Sequence, residues 1–114
     1  MPETARPAPR PALAAAALLA LLAGGAAGAG EAVPPGRAAD LERLVRRDCG
    51  SCHGMRLSGG LGPDIRAGAL SEIPTETVTA IILDGLPGTA MPPWRPLITR
   101  EEAQWIAAYL KSAE

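Results

Sequence analysis

At 114 residues with a formal net charge of −1, the chain has the length of one small domain and no marked charge excess of either sign. No basic run exists, which excludes recognition of nucleic acid or an anionic membrane surface by bulk charge. Two Trp, one Tyr and no Phe leave little aromatic volume, and a domain this small buries only ~60% of its unfolded surface and is marginal alone.

In chain order, residues 1–11 carry Arg6 and Arg10, Ala12 to Ala23 is an unbroken Ala/Leu run, and Gly24 to Gly30 contains only small residues. Ala27-Gly28-Ala29 fits the A-x-A cleavage pattern, so residues 1–29 are expected to form a secretory signal peptide cut after Ala29. The apolar run is about 12 residues, short of the ~18 wanted for a membrane span. The region has no Arg-Arg pair, which favours general secretion, and no Cys follows it to take a lipid anchor. Loss of Glu3, Arg6 and Arg10 moves the formal charge from −1 to −2, nine Lys and Arg against eleven Asp and Glu.

Residues 30–39 are expected to be a flexible lead-in, with Pro34-Pro35-Gly36 stopping any helix. The first helix is expected at Asp40 as N-cap, with Ala38 or Ala39 as alternative starts. Leu41, Leu44 and Val45 form its apolar stripe, and Glu42, Arg43, Arg46 and Arg47 its solvated face. It runs into Cys49-Gly50-Ser51-Cys52-His53, the C-x-x-C-H signature of covalent haem attachment. Two thiols at this spacing lie about one turn apart, so both reach the vinyl groups of one porphyrin, and the His turns one imidazole nitrogen to the iron. The alternatives are a redox-active C-x-x-C, half of a zinc site, or chance. Both Cys and the sole His fall within five residues, which disfavours chance. A covalent haem also supplies the flat apolar body that the side chains lack.

Gly54 ends the helix. Residues 55–69 have no period, and Gly59-Gly60-Leu61-Gly62-Pro63 is a loop. It lacks a preceding strand and a following Gly-Lys-Ser/Thr, so it is not a phosphate loop. Its glycines are expected to let backbone pass close to the porphyrin face. The Pro63 carbonyl is free to accept the second imidazole N–H of His53, the partner that metal-bound His usually needs. A second helix is expected over Thr75–Asp84, with Glu76 in its first turn, Val78, Ile81 and Ile82 on its apolar face, and Gly85 as a left-handed cap. Leu86 to Trp94 is a loop stiffened by Pro87, Pro92 and Pro93. Thr99 opens the last helix with Glu102 three residues on, a capping box, and Trp105, Ile106, Tyr109 and Leu110 form its buried stripe.

The candidates for the iron's sixth ligand are Met55 and Met91. Met55 is two residues after His53, on its side of the porphyrin, whereas Met91 is 38 residues on, beyond an intervening helix, and reaches the opposite face. Ordinary core filling is the alternative for Met91. A thioether favours Fe(II) and raises the potential relative to a second His.

From Asp40 to Ser112 the order of helix, C-x-x-C-H, Gly-Pro loop, helix, Met-Pro loop and aromatic-bearing helix resembles class I cytochromes c. Asp48-Cys-Gly-Ser-Cys-His-Gly-Met55, Gly59-Gly-Leu-Gly-Pro63, Ile82-Leu-Asp-Gly85 and Pro87-Gly-Thr-Ala-Met-Pro-Pro-Trp94 are similar to the cytochrome c55X family, small periplasmic cytochromes of denitrifying bacteria encoded beside the haem cd-type nitrite reductase. The resemblance implies an all-α domain over residues 40–114, with about three to four helices around one covalent haem c. It places the crossing of the first and last helices near Leu44 and Tyr109. Cys49, Cys52, His53, Pro63, Met91 and Trp94 are then the haem-binding residues, with His53 and Met91 as iron ligands. Trp94 is either a propionate contact or plain packing, and Arg66 and Arg95 are either propionate partners or surface residues. The implied role is a monomeric periplasmic one-electron carrier between an upstream donor and nitrite reductase. The alternative is an assembly factor for that enzyme or its special haem. A haem enzyme or gas binder is disfavoured by Met91 and by the lack of a distal His or Arg arrangement.

Overall fold

The structure, a computed structural model, describes residues 32–113 and, ahead of them, residues 4, 5, 8 and 9. Apart from those four residues, the expected signal peptide and its cleavage point lie outside the described residues. Among the described residues no helix is long and apolar enough to cross a membrane, and there is no strand.

Helix α1 (Pro35–Leu44) starts five residues before Asp40, so the Pro34-Pro35-Gly36 run begins the helix rather than blocking it. Pro34 is extended (φ −63°, ψ 152°) at the N-cap and its carbonyl accepts the Ala38 N–H at 2.8 Å. Pro35 sits at the first helical position, where its missing N–H has no intrahelical partner to lose and its φ is already helical. The start is anchored from far along the chain, because Arg37 forms an ion pair with Glu102.

The helix continues through a π-helical turn (Val45–Cys49) into α2 (Gly50–His53) with no departure from right-handed helical backbone. One extra residue in a turn rotates the next stretch of helix by about 100°. The haem-attachment turn therefore need not share the stripe by which Leu41 and Val45, both fully buried, enter the core. Gly54 then turns the chain at φ 90°, ψ 152°, a region essentially confined to glycine.

After the Gly-rich loop come a single turn, α3 (Ala67–Leu70), and then α4 (Thr75–Asp84), whose bounds are those expected. The short α3 falls in the stretch expected to be irregular; it buries Leu70. Gly85 has positive φ, but with ψ −173° it is not a left-handed helical cap. The last helix, α5 (Arg100–Ser112), is capped by Thr99, whose Oγ1 accepts the Glu102 N–H at 3.1 Å. The reciprocal half of the capping box is absent, since the Glu102 carboxylate is taken by Arg37.

Helix α4 packs most extensively on α5, and α1 and α3 also lean on α5. Val78, Ile82 and Leu83 of α4 meet a face of Ala103, Ile106, Ala107 and Leu110 on α5. That face is rotated from the expected stripe: Trp105 and Tyr109 are half-buried and stack on each other, with centroids 5.1 Å apart and planes at 10°. Where α5 crosses α1, the Tyr109 hydroxyl donates to the Glu42 carboxylate at 3.2 Å. Thr79 is buried without penalty because its hydroxyl donates to the Thr75 carbonyl at 2.8 Å.

Candidate haem-binding site

The attachment turn is the end of one long helix, and the Gly-rich loop caps it. A helix leaves its last carbonyls unpaired. Here the Cys52 carbonyl accepts the Gly62 N–H at 2.8 Å and the His53 carbonyl accepts the Gly59 N–H at 2.7 Å. The closeness of this wrap explains the glycines. A Cβ on Gly60 would lie 2.8 Å from the Cys52 carbonyl oxygen, and one on Gly62 would lie 2.7 Å from both Cε1 and Nδ1 of His53. Gly60 and Gly62 thus make room for the motif's own backbone and imidazole.

Cys49 is half-buried and Cys52 exposed, and both thiols are free of disulfide bonds. Burial first, and the neighbouring Asp48 charge second, push the unattached Cys49 thiol up to about 11. His53 Nδ1 lies 2.7 Å from the Pro63 carbonyl oxygen. A carbonyl can only accept, so Nδ1 carries the proton and Nε2 is the nitrogen left with a lone pair for a metal. The Pro63 contact is as the sequence predicts. No cluster of three or more His, Cys, Asp and Glu occurs among the described residues. Two thiols one turn apart beside an imidazole of fixed tautomer fit a covalent haem.

Met55 is 85% exposed. Met91 is partly buried in the second loop, its N–H on Thr89 Oγ1 at 3.3 Å and its carbonyl accepting the Leu86 N–H at 3.3 Å. Gly85 is packed under this loop: a Cβ there would lie 2.6 Å from the Met91 carbonyl oxygen and 3.0 Å from both Pro92 C and Pro93 N. Trp94 packs against the hydrophobic core and its backbone N–H donates to the Ile82 carbonyl at 3.0 Å.

The two candidate propionate partners are already engaged. Arg66 forks onto Asp64 at 3.1 and 2.8 Å, and this pairing, with the Arg66 backbone N–H, holds the Asp64 carboxyl down to about 2. Arg95 forks onto Asp84 at 2.7 and 2.8 Å. The sequence reads Gly62 as a loop glycine and Gly85 as a helix cap; the space they leave for the His53 ring and the Met91 carbonyl is marked by no pattern.

Fold, motif and loop order define a small all-α c-type cytochrome that carries one haem c covalently through Cys49 and Cys52. Residues 36–110 match the family described as cytochrome c oxidase, cbb3-type, subunit III. Cytochrome c55X of Paracoccus denitrificans is 54% identical over 100 residues, covering 86% of this chain and 94% of that one. The solved structure of a c-type cytochrome NirC superposes with a TM-score of 0.67 at 45% identity, over 68% of this chain and 92% of that one. A solved dihydro-haem d1 dehydrogenase, NirN in complex with DHE, matches with a TM-score of 0.60 at 33% identity, over 64% of this chain but only 16% of that one. The chain belongs to the cytochrome c55X family.

Proposed function

We propose that this cytochrome is a periplasmic one-electron carrier, exported by residues 1–29, with iron held between His53 and Met91, and that it donates to a haem cd-type nitrite reductase. The observation that carries this is the 2.7 Å contact between His53 Nδ1 and the Pro63 carbonyl. It commits one imidazole nitrogen to the protein and leaves the other for iron. When bound, the haem supplies a single reversible electron. The chain's contribution is to hold two neutral ligands in place, so that charge changes with little movement of protein atoms. His53 is the sole His, so no second imidazole offers the acid/base pair that a peroxidase-type site requires.

Mixing the reduced mature protein with oxidised nitrite reductase in a stopped-flow instrument tests the donor role. Rapid, second-order oxidation of the cytochrome is expected. Failure to react at micromolar concentrations would remove nitrite reductase as its acceptor.

A second role is favoured by the likeness to the dihydro-haem d1 dehydrogenase. Removing hydrogen from a dihydro-haem releases two electrons and two protons; two oxidised molecules of a one-electron carrier would take one electron each, and the protons pass to solvent. The protein would then serve maturation of the reductase's special haem. A deletion strain whose reductase lacks that haem, despite another electron donor, selects this role.

A further inference from the structure

Helix α4 ends in a way that ties it to the Met91 loop at both of the loop's ends. At the entry, Gly85 lies beneath the loop at φ 69°, ψ −173°, with its N–H on the Ile81 carbonyl at 2.9 Å and no space for a Cβ beside the Met91 carbonyl. At the exit, the Trp94 and Arg95 N–H groups donate to the Ile82 and Leu83 carbonyls, each at 3.0 Å. Those carbonyls are in the last turn of α4, where a helix has no donor partners of its own. The loop thus caps the helix, and the helix closes the loop. The Arg95 guanidinium then forks onto Asp84, the last residue of α4. There a cation also suits the negative end of the helix dipole. Within the loop, Thr89 Oγ1 donates to the Leu86 carbonyl at 2.6 Å and accepts the Met91 N–H.

We propose that the C-terminal end of α4 is the positioning clamp for Met91, with Gly85 fixing the loop's entry and the Asp84–Arg95 pair its exit. None of these three residues is assigned as an iron ligand; all would act by limiting how far Met91 can move. The clamp rests on the proposed ligation by Met91. Because the Asp84–Arg95 pair is exposed, it is a modest and salt-sensitive restraint, whereas Gly85 is a steric one. Breaking the pair should leave the fold intact and change only how often Met91 leaves the iron.

The test uses the ferric holoprotein and cyanide, whose binding must wait for Met91 to leave. R95Q is expected to speed cyanide binding about two- to fivefold at low salt, the range a single exposed ion pair allows. The wild type should approach the R95Q rate as salt is raised. R95K keeps the charge without the fork and should fall between them. The control is E76Q, which removes the carboxylate charge that pairs with Arg100 at the opposite end of α4 and should leave the rate unchanged. G85A should show a larger effect than R95Q and lose the Met–iron absorption band. If G85A does not fold, the contrast between R95Q and E76Q decides. Wild-type kinetics in R95Q, alongside faster binding in Met91→Ala, would overturn the clamp but leave Met91 as ligand. Equal acceleration in R95Q and E76Q would also overturn it, as general loosening. Wild-type kinetics in Met91→Ala would overturn the clamp and the ligation together.

Discussion

Replacing Gly62 by Ala puts one methyl group against the imidazole that faces the iron. The Cβ would stand 2.7 Å from Cε1 and Nδ1 and 3.2 Å from Nε2, whereas ordinary contact begins at 3.4 Å. Either the ring or the Gly62-Pro63 backbone must therefore move about 0.7 Å, and close-packed interiors resist such shifts. Both routes lengthen the 2.7 Å bond from His53 Nδ1 to the Pro63 carbonyl. That bond makes the imidazole a better electron donor, which stabilises Fe(III), so weakening it should raise the reduction potential. A neutral hydrogen bond is worth about 0.5–1.5 kcal/mol net, and a one-electron couple moves about 59 mV per tenfold change. Only the part of that energy that differs between Fe(III) and Fe(II) shifts the couple, so the expected rise is at most about 60 mV. Spectropotentiometric titration of G62A beside wild type measures it, and NMR of the reduced protein should show faster exchange of the His53 Nδ1 proton. An unchanged potential with unchanged exchange would refute the role given to Gly62. A lower potential would refute the direction.

Three further outcomes are expected. Thr99→Ala removes the α5 cap and should cost about 1 kcal/mol, lowering Tm by roughly 4–8 °C in a domain of this size; calorimetry of the holoprotein checks it. Ile106→Ala, at a position with no exposure, should cost about 2–5 kcal/mol, as other core truncations do, while Leu97→Ala, 69% exposed, should stay within about 0.5 kcal/mol; paired denaturant titrations separate them. Asp64 has its pKa lowered from 3.8 to about 2 by Arg66, so the unfolded chain binds its proton first as pH falls. Its contribution is present above about pH 3.8 and is lost on the way down to about 2. Asp64→Asn should therefore flatten the stability profile in that acid window, and an identical slope in both proteins would exclude the Asp64–Arg66 linkage.

The haem-attachment turn and its Pro63 contact are legible in the sequence because their meaning lies in local spacing. C-x-x-C-H and the Gly-Pro pair each announce a covalent or geometric need over a few positions. Thr75–Asp84 and the Thr99 cap are legible for the same reason. The features that escape depend on residues distant in sequence. The start of α1 at Pro35 cannot be read from Pro34-Pro35-Gly36, because its anchor is Glu102, 65 positions away from Arg37. The same contact takes Glu102 out of the capping box. The π-helical turn adds one residue after the Leu41–Val45 stripe, ahead of the attachment turn, and no local pattern marks it. Arg66 and Arg95 look free in the sequence because no pattern marks Asp64 and Asp84 as their partners. Gly62 and Gly85 signal backbone freedom, yet each also matters for the space its absent side chain leaves: for the His53 ring in one case and the Met91 carbonyl in the other.

The claim that Met91 completes a closed electron-transfer iron opposite His53 is tested most directly by the reduction potential of Met91→Ala. Replacing a thioether by Ala removes the ligand that favours Fe(II). The potential should fall well below that of the wild type, and carbon monoxide should bind the reduced protein. A potential and visible spectrum identical to the wild type would contradict ligation by Met91.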